Sequence, residues 1–122
     1  MTREKLDLGK LGEEIALKKL KRLGYKQLIS NYRCSLGEID LIAMDGDILV
    51  FIEVKTRKRN SIFNAKEAVD FRKQMQISKV ALAYIKSNDC FELRVRFDVV
   101  AVFLGGKKPE IEVIKNAFES FY

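Results

Sequence analysis

Apolar or small residues at 8, 11, 12, 15, 16, 20 and 23 recur at spacings of three and four, which predicts an amphipathic helix over 8–23 that Gly24 stops. Residues 25–33 set a Leu-Ile pair among polar neighbours and read as a first strand at a sheet edge. Segments 36–44 and 48–57 are apolar almost throughout and read as paired strands joined at Asp45-Gly46-Asp47, whose Asp-Gly step suits a tight hairpin turn. Beyond Arg57-Lys58-Arg59-Asn60 the chain is polar. Asn64 and Glu67 have capping-box spacing, and apolar positions 69, 77, 80, 81 and 84 carry a second helix toward Ser87. Segment 91–104 alternates, with Phe91, Leu93, Val95, Phe97, Val99 and Ala101 on one face and Glu92, Arg94, Arg96 and Asp98 on the other. A turn at 105–109 leads to a last strand at 110–114 and a tail containing Phe118, Phe121 and Tyr122.

The element order is therefore α-β-β-β-α-β-β, an α/β arrangement with a mixed sheet and helices on one or both faces. No repeat or linker divides the chain. With 122 residues, 48% of them hydrophobic, and twelve aromatics, residues 1–122 read as a single domain with one core.

The two apolar strands carry ionisable groups in their middles: Glu38 and Asp40 in the first, Glu53 and Lys55 in the second. A carboxylate among Leu, Ile, Val and Phe is costly to desolvate, so acids placed there call for a cation or a metal ion. Alternation puts Glu53 and Lys55 on one face with Phe51, and the hairpin brings Asp40 beside them. Two carboxylates so close suit a divalent cation between them, with hard oxygen ligands matching Mg²⁺ or Mn²⁺ and the Val54 carbonyl as a further ligand. Lys55 can orient a water or stabilise charge on a phosphate. On the first helix Glu13 falls within the apolar arc and faces inward, and on the second Lys73 lies in line with Val69, Ile77, Val80 and Tyr84.

Composition narrows the chemistry. There is no histidine, which excludes Ser-His-Asp and Cys-His catalysis and histidine-ligated zinc. Cys34 and Cys90 stand alone and read as ordinary thiols. A net charge of +6 favours a polyanionic partner. The charged N-terminus and the lack of a long apolar run make the cytoplasm the default expectation.

Gly12-Glu13, Asn31-Tyr32-Arg33, Gly37-Glu38-Ile39-Asp40-Leu41-Ile42-Ala43, Phe51-Ile52-Glu53-Val54-Lys55-Thr56-Arg57, Glu67-Ala68-Val69 with Lys73, and Arg96-Phe97-Asp98-Val99-Val100 together resemble the small bacterial YraN family. That family is similar to archaeal Holliday-junction resolvases and to the PD-(D/E)XK nucleases. The resemblance implies a restriction-endonuclease-like α-β-β-β-α-β core, with Asp40, Glu53 and Lys55 in catalytic positions and Glu13 as an auxiliary acid of the metal site.

The expectation is a metal-dependent endonuclease-like protein that hydrolyses DNA phosphodiesters with Mg²⁺ or Mn²⁺. Arg57, Lys58 and Arg59 follow the active strand and are the candidate nucleic-acid contacts, Arg57 foremost. Two alternatives stand beside it: a binding module that keeps the fold without cleaving, and a structural homodimer. For Asp40, Glu53 and Lys55 the plain alternative is a cross-strand salt bridge, while Arg96 and Asp98 read either as a structural ion pair or as support for the site from a neighbouring strand. The aromatic tail reads as core closure or a dimer contact.

Overall fold

The computed structural model describes residues 3–62, 64 and 68–122. Helix α1 (Arg3–Arg22) is followed by strands β1 (Lys26–Cys34), β2 (Gly37–Asp45) and β3 (Ile48–Lys58), helix α2 (Phe71–Ser87), and strands β4 (Arg94–Leu104) and β5 (Glu110–Phe118). The five strands form one mixed sheet in the order β1-β2-β3-β4-β5. Only the β3–β4 pair is parallel, as its connection through α2 requires. The expected α/β architecture is borne out.

The helices cover opposite faces. Ala16 and Leu20 of α1 pack on Leu41, Ala43, Val50, Ile52, Val100 and Val102. Ile77, Val80, Ala81 and Ile85 of α2 pack on Ile42, Phe51, Phe97 and Val99. This two-sided burial explains why β3 and the middle of β4 read as near-continuous apolar runs.

Local chemistry ends each element. At the end of α1, Gly24 takes φ +96°, Tyr25 N–H donates to Leu20 O (3.0 Å) and Gly24 N–H to Lys21 O (3.1 Å), the Schellman pattern. In the β2–β3 hairpin Asp45 pairs with Ile48, so the two turn residues are Gly46 and Asp47. Gly46 takes φ +61° while Asp47 is not in the positive-φ region, the pattern of a type II′ turn with glycine first rather than an Asp-Gly pair.

Several boundaries differ from the sequence reading. Helix α1 starts at Arg3, before the apolar stripe begins. Helix α2 starts at Phe71 with Asp70 as N-cap, its carboxylate accepting from Lys73 N–H at 2.9 Å. Of the capping box expected upstream, Glu67 lies outside the described residues. Strand β4 starts at Arg94 rather than Phe91, because its parallel partner β3 begins only at Ile48, opposite Arg94. Strand β5 runs on to Phe118 across a bulge, with Asn116 at φ +54° and its N–H bonded to the Asp98 carboxylate (3.0 Å). Phe118 therefore belongs to the sheet and stacks on Phe97, with ring centroids 5.1 Å apart. Phe121 N–H bonds Ser78 Oγ (3.1 Å), so the tail closes against α2.

Candidate functional site

The site begins where a ladder stops. Strands β2 and β3 pair from Asp45–Ile48 up to Leu41–Ile52 and then diverge. The next N–H on β3 that faces β2 belongs to Val54, and the Asp40 side chain takes it, with Oδ2 accepting at 2.8 Å. Because N–H and C=O of one residue in a strand point to the same side, the Val54 carbonyl also faces this fork. Asp40 is thus held by backbone at the point where the sheet opens.

Glu53 projects beside it and is almost completely buried. Its Oε1 lies 3.5 Å from Lys55 Nζ and 3.9 Å from Lys73 Nζ, so the cation expected to face inward from α2 does reach the acids. Glu13 approaches from the opposite helix and shares a hydrogen bond with the Asp40 carboxyl. Gly12 permits this approach: a Cβ there would overlap Thr56 Oγ1 and lie 3.2 Å from Thr56 Cβ. Only a residue without a side chain lets α1 sit this low on β3.

Burial and mutual repulsion show in the protonation of these groups. Desolvation first, then the charges of Asp40 and Glu38, raise Glu13 from the usual 4.5 to about 7. Desolvation and Asp40 likewise raise Glu53 to about 7, against the pull of Lys73 and Lys55. Asp40 is also raised, chiefly by burial, although the Val54 N–H and both lysines oppose the shift. Cations therefore do not fully balance this cluster, unlike an ordinary salt bridge that holds carboxyls low.

Asn31 is a neighbour that helical and strand periodicity gave no reason to place here. It sits on β1 at φ +56°, and with its amide oriented to donate, Nδ2 lies 3.2 Å from Glu13 Oε2 and 3.1 Å from Glu38 Oε1. Glu38 also pairs with Arg33 at 3.4 Å, so it belongs to the rim rather than to the acid centre. The sequence signal for Asn31 is the Asn31-Tyr32-Arg33 motif of the family resemblance, and asparagine suits the position because it tolerates the left-handed region better than most residues that bear a side chain.

An open cleft of about 970 Å³ exposes the acids, with Glu13, Asp40, Glu53 and Lys55 on its floor and Arg57, Lys58 and Arg59 along one rim. All three rim cations are exposed, and Arg57 Nη1 donates to the Thr56 carbonyl at 2.9 Å. Glu13, Asp40, Glu53, Lys55, Arg57, Lys58 and Arg59 thus line one cleft, with Lys73 beside Glu53, whereas Arg96 and Asp98 lie elsewhere. Among the described residues no three acidic side chains stand as a ready metal cage. The donors that face one another (Glu13, Asp40, Glu53 and the Val54 carbonyl) are all hard oxygens, the set that suits Mg²⁺ or Mn²⁺.

The profile described as "Uncharacterised protein family UPF0102" matches residues 12–102. The chain belongs to the UPF0102 family. The resemblance to YraN proteins, read from the motifs, is borne out by this match. Relatives align over almost the whole chain. A UPF0102 protein of Syntrophus aciditrophicus is 47% identical over 98% of this chain and 94% of its own length. The UPF0102 protein TTE1452 of Caldanaerobacter subterraneus subsp. tengcongensis is 41% identical over 96% of each. One from Geobacter metallireducens is 44% identical over 94% of each. The family span opens at Gly12, the glycine that seats α1, and takes in Glu13, Asp40, Glu53, Lys55 and Lys73. Among the described residues no helix is long and apolar enough to cross a membrane.

Proposed function

We propose that this UPF0102 protein is a metal-dependent nuclease acting on DNA. The observation that carries the reading is the convergence of Glu13, Asp40 and Glu53 at the β2–β3 fork, with Lys55 and Lys73 beside Glu53, on a cleft with a basic rim. Asp40 raises both Glu13 and Glu53, and a salt bridge between Asp40 and Lys55 has no need of two further acids placed so close.

Asp40, Glu53 and the Val54 carbonyl would hold a Mg²⁺ or Mn²⁺, with Glu13 as the auxiliary acid. Bound there, the ion supplies Lewis acidity toward a phosphate oxygen and lowers the pKa of a water. The chain's own groups do the rest. Val54 N–H fixes the Asp40 carboxylate, Lys55 stands within reach of a water or phosphate oxygen beside Glu53, and Lys73 steadies Glu53 from α2. Arg57, Lys58 and Arg59 supply positive charge where a phosphate backbone would cross the rim.

The test is incubation of purified protein with branched, duplex and single-stranded DNA, with and without Mn²⁺. Asp40→Asn, Glu53→Gln and Lys55→Ala are each expected to lower cleavage by at least about 100-fold while the fold persists. Full activity in any of the three would remove that residue from the mechanism. Binding without product for every substrate would favour the binding-module alternative.

A further inference from the structure

Arg59 is held in place by the turn between β4 and β5. The parallel β3–β4 ladder runs to Lys58 opposite Leu104, and the Arg59 N–H then donates to the Leu104 carbonyl at 2.6 Å. Gly105 follows at φ +107°. The Arg59 side chain lies across Gly106 so closely that a Cβ there would overlap Nη1 and sit 3.0 Å from Cδ and 3.1 Å from Cζ. Glu110 Oε1 lies 3.7 Å from the guanidinium. Arg59 is exposed, yet its side chain lies against the turn backbone and faces Glu110.

Two depressions meet at this residue. One is the acid cleft, of which Arg59 forms the rim. The other is a shallow groove of about 530 Å³ bounded by Arg59, Lys107, Lys108, Pro109 and Glu110. Lys107 and Lys108 are exposed, and Glu110 is the acid that faces Arg59. The basic run at the end of β3 and the basic turn after β4, remote in sequence, thus form one positively charged ridge leading away from the acids.

We propose that the groove beneath the β4–β5 turn is a phosphate-binding extension of the cleft, with Lys107 and Lys108 contacting the backbone of the same nucleic acid that the acids engage. The inference rests on the nuclease reading above and adds a ligand length to it. Glu53 and Arg59 are six residues apart on an extended segment, about 20 Å at about 3.3 Å per residue. At about 3.4 Å per nucleotide along a duplex strand this is about six steps, so the ligand is a polymer rather than a mononucleotide or dinucleotide. Arg59 beside Glu110 offsets the charge of that acid toward phosphate, and Gly106 leaves the room Arg59 needs to lie there.

The experiment is equilibrium binding of a fluorescent 24-base-pair DNA duplex in EDTA across a salt series, with stoichiometry from titration at high concentration. The probes are the parent protein, Lys107→Ala/Lys108→Ala, and Arg57→Ala/Lys58→Ala as a rim control. The parent is expected to bind one duplex per chain, and the Lys107/Lys108 variant to lose about two units of the slope of log K against log salt with an unchanged melting temperature. Gly106→Ala, which displaces Arg59 without removing a charge, is expected to weaken binding at least threefold. An unchanged slope in the Lys107/Lys108 variant overturns the proposal, as does a drop from two duplexes per chain to one, which marks a separate site. If the rim control loses slope while the Lys107/Lys108 variant does not, the nucleic-acid reading stands and this extension falls. A parent that binds no duplex at any salt overturns both.

Discussion

Asp40 differs from an ordinary buried carboxylate in what holds it. Its hydrogen-bond partner is a backbone N–H, and burial raises it against the pull of that N–H, Lys73 and Lys55. Asparagine can accept the same bond from Val54 while removing the charge. Asp40→Asn is therefore expected to be neutral or stabilising by about 1 kcal/mol in metal-free buffer at pH 8, whereas a structural salt bridge predicts a loss of about 1 to 3 kcal/mol. Divalent metal should raise the melting temperature of the parent and do much less for the variant. The pH dependence has a definite sign. Glu13 and Glu53 hold protons in the folded state up to about 7, whereas the unfolded chain releases them near 4.5. Their contribution to stability is complete below about 4.5 and is lost as pH rises through about 7. Asp45, which its bond from Arg96 holds low, acts at more acid pH and leaves this window clear. Urea unfolding in EDTA between pH 5 and 7.5 should show falling stability in the parent and a shallower fall in Glu53→Gln. A parent that gains stability across that window, or an Asp40→Asn that melts lower with and without Mn²⁺, would sink the metal-site account.

At the scale of elements, the seat of α1 on β3 decides whether Glu13 reaches the site, and two glycines in that helix isolate the effect. A Cβ at Gly9 would meet nothing within 4 Å, while one at Gly12 would overlap Thr56. Gly→Ala in a helix gains about 1 kcal/mol from propensity, and forcing a methyl into a packed contact costs about 1 to 3 kcal/mol. Gly9→Ala is expected to stabilise, and Gly12→Ala to destabilise and weaken divalent-metal binding, with Thr56→Ala partly restoring the second variant. Equal melting shifts in the two would mean that the Thr56 contact does not matter. This pair also marks how far the sequence could be read. Helical periodicity turned Glu13 inward, and strand alternation put Glu53 and Lys55 on one face, because both are local properties. The closeness of Gly12 to Thr56 is tertiary, and no period encodes it. The start of β4 and the end of β5 differ from the periodicity for the same reason: one depends on where the partner strand begins, the other on a bulge stapled by the Asp98 side chain.

Across the whole molecule the sheet carries two buried charged clusters, and their contrast separates scaffold from site. On the α1 face Asp98 is fully buried and accepts from Tyr25 Oη (3.0 Å), Arg96 Nε (2.8 Å) and Asn116 N–H (3.0 Å). Arg96 also bonds Asp45 at 2.8 Å and Tyr25 Oη at 2.9 Å, which ties β4 to β5, to the β2–β3 turn and to the end of α1. The sequence left Arg96 and Asp98 between a structural ion pair and support for the site. The register settles their position: Asp98 lies opposite Ile52, whose side chain faces α1, while Glu53 and Lys55 face α2. Among the described residues no buried side-chain N or O lacks a partner, and removing Asp98 takes the acceptor from Tyr25 Oη, Arg96 Nε and Asn116 N–H at once. Asp98→Ala is expected to cost about 3 to 5 kcal/mol, and Tyr25→Phe about 1 to 3 kcal/mol, both independent of divalent metal. The acid cluster at the fork should behave in the opposite way, tolerating Asp40→Asn in EDTA and responding to Mn²⁺. Denaturant unfolding of the three variants, each with and without Mn²⁺, reads both clusters in one experiment. If Asp98→Ala cost no more than Asp40→Asn, or if metal rescued it, the division between a completed scaffold network and an incomplete binding centre would be wrong.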